Sequence, residues 1–197
     1  MASGKKKRRY TRYILPLLFG GLFIALALVK GRSGDQPLKA VLREAEPLTL
    51  TDRAVENYLF SAGFTLDGER VLDGAGELAA SLSLEQGADG SVTAMTLAFP
   101  LPTYYETEEG GEALAALKAN HDKAAHRGEE LFLALFDAIS ATDGRTASRR
   151  DSALEKLRKV MDGGKPSAQA ANSWEFTFSL EPGLLEGTVT VRFEKVK

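Results

Sequence analysis

Few residues in this chain could do chemistry, and their spacing narrows the field further. The two histidines, His121 and His126, stand five residues apart in a stretch of helical periodicity. Two ligands on one helical face need a spacing of three or four, so the pair does not form a metal site on its own. Asp122, His126 and Glu130 do share a face at successive intervals of four. Such faces are usually solvated charge, and His121 falls on the apolar stripe, where a hydrogen-bonded core histidine is expected. Asp73-Gly-Ala-Gly-Glu77 is acidic and glycine-rich, but it offers too few oxygens for calcium and reads as a turn. With no cysteine in 197 residues, a thiol nucleophile, a disulfide framework and a thiolate zinc site are excluded. The chain carries no G-x-S-x-G elbow, P-loop, G-x-G-x-x-G, H-E-x-x-H or EF-hand loop. Ser3-Gly-Lys-Lys6 matches S-x-x-K only in a basic tail. No catalytic set, metal or cofactor is therefore assigned. Acid–acid catalysis is left open, because sequence does not say which of 27 carboxylates converge.

Two surfaces remain for recognition. Between Arg145 and Lys165 seven bases face three acids, among them Arg149, Arg150, Lys156 and Lys159. Such a patch suits lipid phosphates, an anionic envelope polymer or an acidic protein, or is simply a solvated helix face. Phe99, Tyr104 and Tyr105 gather around Pro100 and Pro102. Aromatics on a rigid loop suit a partner or ligand, or else plug the end of a sheet.

Charge divides the chain that carries these surfaces. Residues 1–32 hold eight bases and no acid, leaving 17 bases against 27 acids for the rest. An acidic body repels polyanions, so nucleic-acid binding is not expected despite the KKKRR run. Ile14 to Val29 is an uncharged run containing Leu18, Phe19, Phe23 and Leu26. As a helix it would be about 24 Å long, extended toward the lipid–water boundary by Tyr10 and Tyr13 and by a snorkelling Lys30. Six bases precede it and two closely follow, which predicts a cytoplasmic N-terminus and an exported body. Ala25-Leu-Ala27 would also suit signal-peptide cleavage, but the apolar run continues past it, which favours an anchor. The absence of cysteine and of Asn-x-Ser/Thr sequons fits a bacterial envelope.

The expected organisation is thus a basic cytosolic tail (1–13), a transmembrane signal-anchor (14–29), a linker with a short juxtamembrane helix (30–47) and an extracytoplasmic domain (48–197). In that domain Thr51 caps a short helix closed by Gly63. Phe64 to Leu72 reads as one bent strand, and Leu78 to Phe99 as a hairpin ended by Pro100 and Pro102. Helices are expected over about Glu112–Ser140 and Ala147–Met161, the latter opened by a Ser148–Asp151 capping box. Residues 162–172 read as a loop. Trp174, Phe176, Phe178 and Leu180, then Leu185, Gly187, Val189, Val191 and Phe193, alternate with polar residues, which predicts a hairpin with one wet face. The fold class is α+β: a two-layer domain whose antiparallel sheet of four to five strands, built from two hairpins, is covered by a helical hairpin and a short N-terminal helix.

The function expected from this reading is a single-pass, membrane-anchored, non-enzymatic binding or assembly module of a bacterial envelope, meeting the bilayer through its N-terminal helix and a protein or anionic envelope partner through its body. The alternatives are a carrier or sensor of amphiphiles, which needs an apolar pocket of several hundred Å³, and a carboxylate-based envelope hydrolase.

Overall fold

A computed structural model of the protein describes residues 49–105 and 111–196. The anchor residues Ile14, Leu18, Phe19, Phe23, Leu26 and Val29, and the juxtamembrane helix, lie outside them. Among the described residues no helix is long and apolar enough to cross a membrane.

The first helix, α1 (Asp52–Ser61), begins where the sequence places it: Thr51 Oγ1 accepts the Ala54 amide at 3.2 Å, and Leu50 and Val55 are both buried at the staple positions. Gly63, at φ +88°, then reverses the chain. The strands are β1 (Thr65–Asp67), β2 (Arg70–Leu72), β3 (Leu78–Gln86), β4 (Val92–Pro102), β5 (Ser167–Ala171), β6 (Trp174–Glu181) and β7 (Glu186–Lys195). Between β4 and β5 run α2 (Glu112–Thr142), a 3-10 turn (Thr146–Arg149) and α3 (Arg150–Met161). The fold is α+β, with one antiparallel sheet in the order β1-β2-β3-β4-β7-β6-β5.

Seven strands replace the expected four or five, for local reasons. Phe64 to Leu72 is a tight hairpin rather than one bent strand, because Gly68 at φ +62° lets Asp67 pair with Arg70. Ser167–Ala171, expected as loop, pairs along β6 although its small side chains show no apolar alternation. Two further expectations are corrected. Pro100 and Pro102 do not end β4, which pairs with β7 as far as Pro102↔Glu186. Thr103 donates its amide to Leu185, so the alternating proline nitrogens point to the other side, beyond the last pairing with β3 at Ser81↔Ala98. A shift of register between Val71 and Leu72 leaves Ala79 as an extra residue, burying it and turning Leu78 outward. The Ser148 capping box is also absent: that hydroxyl donates to the Arg145 carbonyl, and a 3-10 turn precedes α3.

The helices bury one face of the sheet. Register aligns Leu82, Leu97, Val191 and Phe178 in one row, and Leu84, Met95, Phe193 and Phe176 in the next. Phe132 of α2 enters both rows, its ring 5.8 Å from those of Phe178, Phe193 and Phe136. Each such pair contributes about 0.5–1.5 kcal/mol beyond area burial. Gly128 sets how closely α2 lies on β4, since a Cβ there would sit 2.3 Å from the Phe99 ring. On the opposite face Ser81, Thr177, Thr188 and Glu194 are exposed, and Arg192 meets Glu85 at 3.0 Å. The sheet edges are blunted. β1 is three residues long. Along β5 the Lys156 ammonium donates to the Ala168 carbonyl and the Gln169 amide to the Ala170 carbonyl.

The two ends of the sheet differ. At one, Leu50 accepts the Val92 amide, and the α2–α3 turn is tied to the β5–β6 turn. Asp143 accepts two hydrogen bonds from the Asn172 amide (2.8 and 2.7 Å) and one from the Ser173 hydroxyl (2.7 Å), while buried Thr146 donates to the Ala171 carbonyl. At the other end lie Pro102, the β6–β7 turn and the C-terminus of α3.

Candidate functional site

The second end is open. Leu101 to Tyr104, His121 of α2, Met161 to Gly163 after α3, and Leu180, Pro182 and Gly187 of β6–β7 line a groove of about 380 Å³. Its walls come from four separate stretches of chain, which explains why no local motif announces it. The C-terminal half of α2 buries Gly128, Leu131, Phe132, Leu135 and Ile139, but the turns before it extend past the sheet and form a wall rather than a core. In those turns Leu117, expected in the apolar stripe, is 47% exposed.

His121 sits at the junction. Its Nδ1 lies 2.7 Å from the Pro102 carbonyl, and a carbonyl only accepts, so Nδ1 carries the proton. In the neutral ring this leaves Nε2 as an acceptor. The Tyr104 ring meets the imidazole edge-on, with centroids 4.9 Å apart and planes at 80°. Thr103 fastens the groove to the β6–β7 turn through its amide to Leu185 (3.0 Å) and its hydroxyl to Gly183 (3.3 Å). That turn presents Leu184 and Leu185, 83% and 82% exposed, and Tyr105, which follows Tyr104, is 62% exposed. Leu185, expected to face inward, instead precedes β7 and stands in solvent.

A second groove, of about 540 Å³, adjoins the first across Asp162 and Gly163 and is lined by Lys156, Lys159, Gly164, Lys165 and Ser167. Gly163 at φ +82° donates its amide to the Val160 carbonyl, and Gly164 to that of Lys159. A Cβ on Gly164 would lie 2.2 Å from the Lys159 oxygen, so this reversal depends on glycine, and it folds Lys165 back toward α3.

The structure thus divides the residues proposed from sequence. Phe99 is buried under Gly128, Tyr104 lines the first groove, and Tyr105 is exposed and does not line it. Lys156 and Lys159 line the second groove, Lys159 while paired with Glu155 at 2.8 Å. Arg150 is at 3.2 Å from Asp137 and Arg149 is exposed at the end of the 3-10 turn; neither lines a groove. Sequence reasoning missed Met161, Asp162, Leu180, Leu184 and Leu185, and took His121 for a core residue. His121 beside Tyr104 on the half of α2 ahead of Gly128 was the available signal.

The remaining candidates resolve into structure. Asp73 Oδ1 accepts the Ala75 and Glu77 amides at 3.0 Å, and Oδ2 meets Arg127 at 2.7 Å. The Glu77 amide, and then those of Ala75 and the Arg127 charge, hold its carboxyl below the usual aspartate range. His126 Nε2 lies 3.3 Å from Glu130 on an exposed helix face. Among the described residues no group of three or more His, Asp or Glu side chains is placed to hold a metal ion. No family model, curated protein or solved structure matches the chain.

Proposed function

We propose that the protein is a membrane-tethered, non-enzymatic binding module of a bacterial envelope, and that the open end of its sheet is the recognition surface. The tether is the apolar run 14–29, with the basic tail cytoplasmic and residues 48–197 exported. One observation carries the recognition surface. Leu184 and Leu185 are held in solvent by a turn fastened to Thr103, directly beside a groove, while the core behind them is filled by aromatic rings. Exposed large apolar residues on a fixed turn lose little entropy on binding and gain burial when a partner covers them. Among the described residues the groove lining contains one carboxylate, Asp162.

Photo-crosslinking from position 185 in intact cells tests the surface. Capture of one discrete species, lost when the photoprobe is moved to exposed Glu175 on the wet face, is the expected result. Equal capture from both positions would count against it. Protease added to intact protoplasts tests the tether: the body should be digested without lysis, and protection until lysis would overturn the proposed location.

A further inference from the structure

The two grooves share Asp162 and Gly163, and their chemistry differs. One side offers Leu180, Pro182 and the Tyr104 ring beside Thr103 and His121, over the buried Leu101 and Met161. The other offers three lysines and the hydroxyl of Ser167, which is buried and has no hydrogen-bond partner among the described residues. An unpartnered hydroxyl in the wall of a lysine-lined groove is a free donor for an anion, and leaving it unmade is unfavourable. Lys165 makes no ion pair among the described residues. The C-terminal end of α3 would ordinarily repel an anion. Here three of its last four carbonyls, those of Arg158, Lys159 and Val160, accept the amides of Asp162, Gly164 and Gly163. The opposing charges are Asp162 at the junction and Glu155, which lies against Lys159.

We infer that the adjoining grooves form one bipartite site for a single anionic amphiphile, with its anionic head at Lys159, Lys165 and Ser167 and a short apolar chain over Leu180 and Tyr104. This rests on the reading of the open end as a recognition surface and names the class of ligand it takes.

The test is a ligand-observed NMR titration of the purified full-length chain with hexyl phosphate, hexyltrimethylammonium and inorganic phosphate. Hexyl phosphate should bind at least tenfold more tightly than either of the others. The double variant K159Q/K165Q, whose exposed side chains leave the core untouched, should weaken it about tenfold, and Tyr104→Ser should weaken hexyl phosphate but not inorganic phosphate. Equal binding of the two opposite charges, or hexyl phosphate affinity unmoved in K159Q/K165Q, would overturn the assignment. So would failure of hexyl phosphate to bind at all. If photo-crosslinks from position 185 still trap a partner while hexyl phosphate does not bind, the ligand class fails and the recognition surface stands.

Discussion

The two ends of the sheet are built from similar material and put it to opposite use. At the Asp143 end, polar groups are paired across the α2–α3 and β5–β6 turns, and Trp174 is buried. At the His121 end, the ring is bonded through Nδ1 alone among the described residues, and two adjacent leucines stand in water. If the open end is the recognition surface we propose, mutations at the first end should act on folding and mutations at the second on association.

The largest effect should come from the closed end. Trp174→Ala removes a buried ring and should destabilise the domain by about 3–5 kcal/mol, read from denaturant unfolding of the full-length chain. In the middle of the sheet, Gly128→Ala forces a methyl group into the Phe99 ring. A loss of about 1–3 kcal/mol is expected, and a Phe99→Leu background should recover part of it; no recovery would mean that the glycine acts through the helix backbone instead.

Asp143→Asn comes next, at about 1 kcal/mol. Burial pushes the Asp143 carboxyl up, but hydrogen bonds from Ser173 and Asn172 outweigh it and hold the carboxyl below the usual aspartate range. A depressed folded-state value means that the charged form contributes stability above the unfolded value of about 3.9, and that this contribution is lost as pH falls through the folded value. The gap between wild type and D143N should therefore be full near neutrality and close in acid. A gap independent of pH would remove the charge from the explanation.

Smallest of all should be the effect of Leu184→Ser with Leu185→Ser on unfolding, within about 0.5 kcal/mol, while crosslinking from a photoprobe at exposed Tyr105 falls sharply. A large loss of stability would place these leucines with the core and erase the difference between the ends.

Sequence made the closed parts of the fold legible and the open part illegible. Strict alternation from Trp174 to Phe193 identifies β6 and most of β7, because one buried face imposes a period of two. The Thr51 cap and the extent of α2 follow from local chemistry in the same way. Leu185 breaks the alternation because it belongs to the turn, and the turn's conformation is fixed by Thr103, some 80 residues distant. β5 escaped notice because SAQAA has no large side chain to mark its faces, and β1 and β2 because three residues do not establish a period. The groove is harder still. Residues 102, 121, 161, 180 and 187 meet only once the sheet order is known, and nothing in their spacing brings β7 between β4 and β6.

Where the chain joins the domain has a mechanical consequence. Leu50 is bonded to Val92 at the start of β4, and the groove lies at that strand's far end, about 34 Å away for eleven residues at strand rise. A pull between Leu50 and anything held in the groove would run lengthwise along β4 and β7 and shear nine paired positions together, instead of peeling them one by one. A molecule loaded in that direction should yield only at high force, whereas a sideways pull on the edge strand β5 should peel its pairs from β6 one after another.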